Sequence, residues 1–250
     1  MGSEARTART VTRSGPDRLN AAGLNRILRF KGYGNPNGGY WFIGIEEAGD
    51  SDPKGSRREH IIKSGFDDVE DLSRAHTRGN LDWPMDKLIP TWATMSRIVL
   101  RLQGEPNWRD TEAVRAYQSQ RLGREGGETF LTELLPLRKP SDSQWPDWWP
   151  FSKWSSWEAY AEEVLPKRFT MMQGLLQRCR PRYVFWYGKW YWETYRADLF
   201  PGAQFAPMAG GKIEMAQVGE STVVLTPFFS YYGMTAGLID RMANELEDTA

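Results

Sequence analysis

Cysteine is nearly absent. A single residue, Cys179, stands in a chain of 250, which excludes a disulfide within the chain and a cysteine-held iron–sulfur cluster or zinc knuckle. Histidine is almost as scarce, and His60 and His76 alone argue against a histidine-rich metal centre. Net charge is missing too. The 32 Lys and Arg balance 32 Asp and Glu, so no global field draws nucleic acid, membrane or an acidic partner, and any phosphate contact must be local. No apolar run approaches the roughly 18 residues of a spanning helix, and the first residues lack the apolar core of a signal peptide. A reducing, cytoplasmic setting without membrane contact is therefore expected.

Flat side chains are what the chain has in plenty. With 12 Trp, 10 Tyr and 11 Phe it carries more rings than a core of this size requires, so some should be exposed or line a cleft. An apolar content of 40% is enough for an ordinary core and one domain over residues 17–250. Residues 1–16 mix Arg, Ser, Thr and Gly without apolar periodicity and read as a flexible tail.

Leu19, Leu24, Ile27 and Leu28 share one face of a helix that Gly32 and the turn residues 35–39 end. Tyr40 to Ile45 then suits a buried strand, and residues 50–58 an exposed loop. Trp92, Met95, Ile98, Val99 and Leu102 predict a helix over 90–102 closed by Gly104, followed by a short helix around 113–122. Thr129 to Leu135 is a second strand, expected to stop at Pro136. The stretch near 140–160, with five Trp and two Pro between Trp145 and Trp157, predicts an irregular aromatic-rich insertion. Two helices, 157–165 and 169–179, should follow it. A third strand over 181–187 ends at Gly188, with a helix from Trp190. The fourth, 222–226, leads through Pro227 and an aromatic loop into a helix over 234–246. Short apolar strands alternating with helices predict an α/β fold with helices on both faces of a mostly parallel sheet, and ligands in such sheets sit beyond the carboxyl ends of the strands.

Those strand ends read Gly44-Ile45-Glu46-Glu47-Ala48-Gly49, Thr132-Glu133-Leu134-Leu135-Pro136-Leu137, Val184-Phe185-Trp186-Tyr187-Gly188-Lys189 and Leu225-Thr226-Pro227-Phe228-Phe229-Ser230. Their order and spacing resemble the uracil-DNA glycosylase superfamily over roughly residues 40–247, with Gly44, Pro136, Leu137, Gly188, Pro227 and Ser230 as the points of agreement. The resemblance implies a three-layer αβα sandwich around a central four-stranded, mostly parallel sheet. It also implies a monomer that acts on DNA, without metal or cofactor.

The departures from the family pattern carry the chemistry. Glu46 falls where the family holds its water-positioning group, and Glu47 replaces the usual proline. Either could be the catalytic residue, since adjacent carboxylates repel and one can take up a proton while the other stays ionised. An ordinary acidic loop closing a strand is the competing reading. Glu133 stands where the family reads the extruded base with Asn. An ionised carboxylate only accepts, which matches the amino group of cytosine and not the carbonyl of uracil, unless Glu133 simply faces solvent. Thr226 replaces the family histidine that donates to the departing base and brings no positive charge, so Glu133 is the candidate proton source.

Gly44, Ile45, Ala48, Gly49, Phe66 and Pro227 complete the substrate-binding set, with Phe66 or Trp83 as the ring that stacks on the base. Ala48 and Gly49 sit where the family places bulk against 5-substituents, so a cytosine with a large 5-substituent could enter. Phe228, Phe229, Tyr231, Tyr232 and Met234 occupy the wedge segment, and Lys189 and Ser230 are candidate phosphate contacts. Arg57, Arg58, Arg138 and Lys139 would be near the mouth.

The resulting expectation is a glycosylase that releases a hydroxymethylated or glucosylated cytosine from phage DNA and leaves an abasic site, as a defence. A repair enzyme for uracil or another deaminated base, and a catalytically silent nucleic-acid or protein-binding module, are the alternatives.

Overall fold

All four apolar segments become strands, and they lie side by side. The computed structural model describes residues 21–48, 67–78, 85–139, 154–229 and 233–249. Within them run the strands β1 (Gly32–Gly34), β2 (Tyr40–Ala48), β3 (Val69–Glu70), β4 (Thr129–Lys139), β5 (Tyr183–Tyr187), β6 (Ala206–Met208), β7 (Ile213–Val218) and β8 (Ser221–Thr226). The helices are α1 (Ala21–Arg29), α2 (Leu72–Arg78), α3 (Pro90–Leu102), α4 (Thr111–Gln120), α5 (Trp157–Cys179), α6 (Trp192–Thr194) and α7 (Ala236–Asp248). A 3-10 turn, Lys189–Tyr191, precedes α6 and a π-helical turn, Tyr195–Leu199, follows it. Among the described residues no helix is long and apolar enough to cross a membrane.

The strands form one sheet in the order β3-β1-β4-β2-β5-β8-β7-β6. β4, β2, β5 and β8 are mutually parallel neighbours. β1 runs antiparallel to β4, and β7 runs antiparallel to both of its neighbours, β8 and β6. The α/β class therefore holds, but the expected four-stranded sheet does not: the sheet has eight strands and is mixed. The added strands escape a search for apolar runs because they are short edges. β1 is Gly-Tyr-Gly, β3 has two residues, β6 has three of which only Met208 is buried, and in β7 only Ile213 and Ala216 are buried.

Strand alternation sorts the core. Trp41, Ile43, Phe130, Leu134, Val184, Trp186, Val223 and Leu225 pack with Phe169, Met172 and Leu175 of α5. Phe42, Leu131, Phe185, Tyr187 and Val224 pack in a second cluster with Met95, Ile98 and Val99 of α3 and Leu238, Ile239 and Met242 of α7. Burial on both faces explains why the parallel strands read as continuous apolar runs. A third cluster joins Leu135 and Leu137 to Leu24 and Ile27 of α1 and Tyr160 and Val164 of α5.

Two prolines behave differently from expectation. β4 does not stop at Pro136 but continues to Lys139. Between the pairs Glu46 with Leu135 and Ala48 with Lys139, β2 advances two residues while β4 advances four. The proline thus sits in an irregularity of the ladder where its missing N–H breaks no register. The two helices expected after Trp157 are one, α5, running through Pro166. Pro166 lies on the exposed side of α5, while buried Val164, Arg168 and Phe169 hold the helix on both sides of it. Of the aromatic-rich stretch, residues 140–153 lie outside the described residues. Trp154 is buried against Tyr160 with ring centroids 4.9 Å apart, and Trp157 opens α5 behind the Ser156 cap.

Candidate active site across the four parallel strands

One row of residues crosses all four parallel strands. Glu133 of β4 pairs with Gly44 of β2, Tyr187 of β5 follows the pair Ile43 with Trp186, and Tyr187 pairs with Thr226 of β8. Strands are about 4.8 Å apart, so Glu133 and Tyr187 are two spacings from each other with β2 between them. They meet because position 44 has no side chain. A Cβ there would collide with Glu133 Oε2 and with the Tyr187 hydroxyl. Over that glycine the Tyr187 hydroxyl donates to Glu133 Oε1 at 2.6 Å. Gly188, with φ of 114°, then turns the chain out of β5, a conformation that other residues adopt only with strain.

The row is braced from several directions. Phe229, fully buried, stacks on Tyr187 at 4.6 Å and meets Phe42 edge-on at 5.9 Å. Arg168 donates through Nη2 to the Glu133 carbonyl at 2.7 Å, through Nε to the Leu134 carbonyl at 2.9 Å and through Nη1 to the Phe30 carbonyl at 2.6 Å. It thereby pins β4 just before its irregularity. Burial pushes the Arg168 guanidinium down to about 10, opposed by Tyr160 and the Glu133 charge. Burial raises the Tyr195 phenol, and the Glu133 charge adds to that rise.

Glu46 lies two residues beyond Gly44 and pairs with Leu135. Its Cα is therefore diagonal to that of Glu133 on the adjacent strand, roughly 8 Å away. Its carboxylate accepts from Trp157 Nε1 at 2.8 Å, at the start of α5. The structure thus brings the two acids onto neighbouring strands but gives them different aromatic donors. Burial pushes the Tyr160 phenol up, and the Glu46 charge adds to it.

The remaining candidates divide by position. Thr226 is fully buried, and its hydroxyl donates to the Trp186 carbonyl at 3.4 Å within the sheet. Ile45 is partly buried between the α5 and α1 clusters, and Pro227 is partly buried at the end of β8. Phe228 is 54% exposed and meets Tyr187 edge-on at 5.9 Å, which leaves it as the outward ring of the Phe228 and Phe229 pair. Met234 is buried in the core. Lys189 is exposed, with Nζ 5.4 Å from the Trp192 ring centroid. Glu47 and Ala48 continue β2, and Arg138 and Lys139 end β4. Gly49, Phe66, Ser230, Tyr231 and Tyr232 lie outside the described residues, as do Arg57, Arg58 and Trp83.

Sequence reasoning missed Tyr187, Trp157, Arg168 and the 95% exposed Trp190 beside Lys189. Tyr187 left a trace, a hydroxyl-bearing ring as the last residue of an otherwise apolar strand before a glycine. Among the described residues no group of three His, Cys, Asp or Glu could hold a metal ion. No family model matches the chain, and no curated protein matches it.

Proposed function

We propose that this chain is a DNA glycosylase of the uracil-DNA glycosylase type that acts on a 5-substituted cytosine, hydroxymethylated or glucosylated, in phage DNA. The observation that carries the reading is the carboxylate of Glu133, held by Tyr187 over Gly44 at the level of the sheet where β5 and β8 end and β4 and β2 run on. An acceptor fixed at that level suits an extruded base that presents an amino group. Glu46, on the neighbouring strand, would orient water toward C1′ of the sugar and take its proton as the C1′–N1 bond breaks. Thr226 is committed to a carbonyl inside the sheet and supplies no proton, so in this reading the cytosine is bound protonated at N3, the Glu133 carboxylate accepts from it, and the base leaves neutral as the C1′–N1 electrons pass to N1. The outward ring of Phe228 would fill the gap left by the extruded base, and Lys189 would meet a phosphate. In this reading the chain works on DNA as a cytoplasmic monomer, and the abasic sites it leaves disable the invading genome.

Mass spectrometry of bases released from DNA containing uracil, cytosine, hydroxymethylcytosine or glucosylated hydroxymethylcytosine tests the proposal. Release of a 5-substituted cytosine, abolished by Glu46→Gln with DNA binding retained, is the expected result. Release of uracil alone would replace it with a repair enzyme. Release of no base from any of these DNAs would leave a binding module.

A further inference from the structure

We infer that Tyr187 positions the Glu133 carboxylate, and that Tyr187 and Gly44 together set which base edge the site accepts. The inference takes its substrate from the glycosylase reading, whereas the positioning itself rests on the row Glu133, Gly44 and Tyr187 alone.

A glutamate side chain has three rotatable bonds and no intrinsic reason to lie across a neighbouring strand. Here it does so because the phenol reaches it from β5, at 2.6 Å, and because β2 offers no Cβ in between. Tyr187 is itself immobilised. It is 5% exposed, stacked on Phe229 at 4.6 Å and continuous with the cluster that packs α3 and α7 on the sheet. The backbone of Glu133 is fixed separately, by Arg168 at its carbonyl. Carboxylate and backbone are therefore held by different elements, and the Tyr187 hydroxyl fixes where Oε1 lies. With Oε1 engaged by that hydroxyl, Oε2 lies over Gly44. A carboxylate oriented in this way favours a base with an amino group at C4 and disfavours one with a carbonyl there, which would meet it lone pair to lone pair. Amino-bearing 5-substituted cytosine would pass, and its deaminated counterpart, the equally substituted uracil, would not.

Tyr187→Phe removes the hydroxyl and keeps the ring in its stack. The decisive readout is the ratio of kcat/KM for a 5-substituted cytosine over the uracil with the same substituent, which a merely structural defect would leave in place while lowering both. We expect Tyr187→Phe to reduce that ratio about tenfold or more. Glu133→Gln, whose amide can also donate, should shift it further toward the uracil. An unchanged ratio in Tyr187→Phe overturns the inference.

Should the wild-type protein release neither base, the glycosylase reading falls, and the positioning is then decided without activity, by denaturant unfolding of Tyr187→Phe, Glu133→Gln and the double variant. A coupled pair makes the double variant's unfolding constant fall short of the product of the two single effects by roughly fivefold or more. Equality with the product overturns it. Gly44→Ala, which would place a methyl group against both partners, should reproduce the loss seen in Tyr187→Phe wherever it folds.

Discussion

Tyr195 shows how much one polar atom matters in this interior. Its ring is fully buried against Trp186, centroids 4.9 Å apart, yet its hydroxyl has no hydrogen-bond partner among the described residues. An unsatisfied buried hydroxyl costs about 1–3 kcal/mol relative to water. Tyr195→Phe deletes that atom and keeps the ring, so it should stabilise the protein by about 1 kcal/mol; thermal or urea denaturation would show it, and a loss of stability would mean that the hydroxyl has a use in the folded chain. Arg168 is the opposite case. It is a charged residue that is 3% exposed, and four backbone carbonyls on two separate segments receive its N–H groups. Nothing in the string of residues around it marks it as buried, because an arginine in mid-helix reads as solvent-facing until the partner carbonyls, more than thirty positions away, are known.

The element that joins the ends of the chain's packing is the pair α3 and α7. Arg101 near the end of α3 donates through Nε to Asp240 at 2.8 Å and through Nη1 to Glu247 at 2.7 Å, and Nη2 meets Asn244, all on α7. The hydrogen bond from Arg101 holds the Asp240 carboxyl below its ordinary value of 3.8, with the charges of Arg101 and Arg109 assisting. A carboxyl lowered on folding contributes stability that is present above its unfolded value and is lost as the pH falls through its folded value. Arg101→Met should therefore cost about 1 kcal/mol near neutral pH, and the difference from wild type should shrink as the pH drops below 3.8. Urea unfolding at neutral pH and at about pH 3 measures both; a penalty independent of pH would assign the clamp to packing of the arginine stem.

α3 also shows what was legible. Its apolar spacing gave both ends, because Pro90 at the first turn and Gly104, with φ of 74°, punctuate the pattern locally. The four parallel strands were legible for the same reason, each an apolar run bounded by turn residues. The flanking strands were not, since β7 is only partly buried and its pairing with β8 depends on the turn at Gly219, where φ is 60°. Pro136 and Pro166 misled because a proline breaks an element only where its absent N–H was needed, and that is decided by the neighbouring strand or by solvent. At the site, Glu133 and Gly44 could be singled out by their places at the expected strand ends. Tyr187 could not be tied to them, because its meeting with Glu133 depends on strand order, which no local pattern encodes.

At the scale of the whole molecule, the balance of 32 positive and 32 negative charges limits the form that the proposed DNA binding can take. A protein that relies on phosphates must collect six to ten cationic contacts and then loses about 10³–10⁵ in affinity between 50 and 200 mM salt. A chain with no net charge has no such field. Its only large hydrophobic side chains exposed among the described residues are Trp190, at 95%, and Phe228, at 54%. They stand just beyond the ends of the adjacent strands β5 and β8, with Lys189 beside them. Binding should therefore depend on ring stacking more than on charge. Two phosphate contacts would give a slope near −1.8 and a loss of only about tenfold over that salt range. Replacing both rings, Trp190→Ala with Phe228→Ala, removes about 1–3 kcal/mol of stacking for each base they engage and should weaken binding at least tenfold while leaving the salt slope where it was. Fluorescence anisotropy with a labelled duplex, titrated across salt for both proteins, separates these contributions. A steep slope in the wild type, or a double variant that binds as tightly, would move the DNA contact away from this edge of the sheet and take the proposed wedge with it.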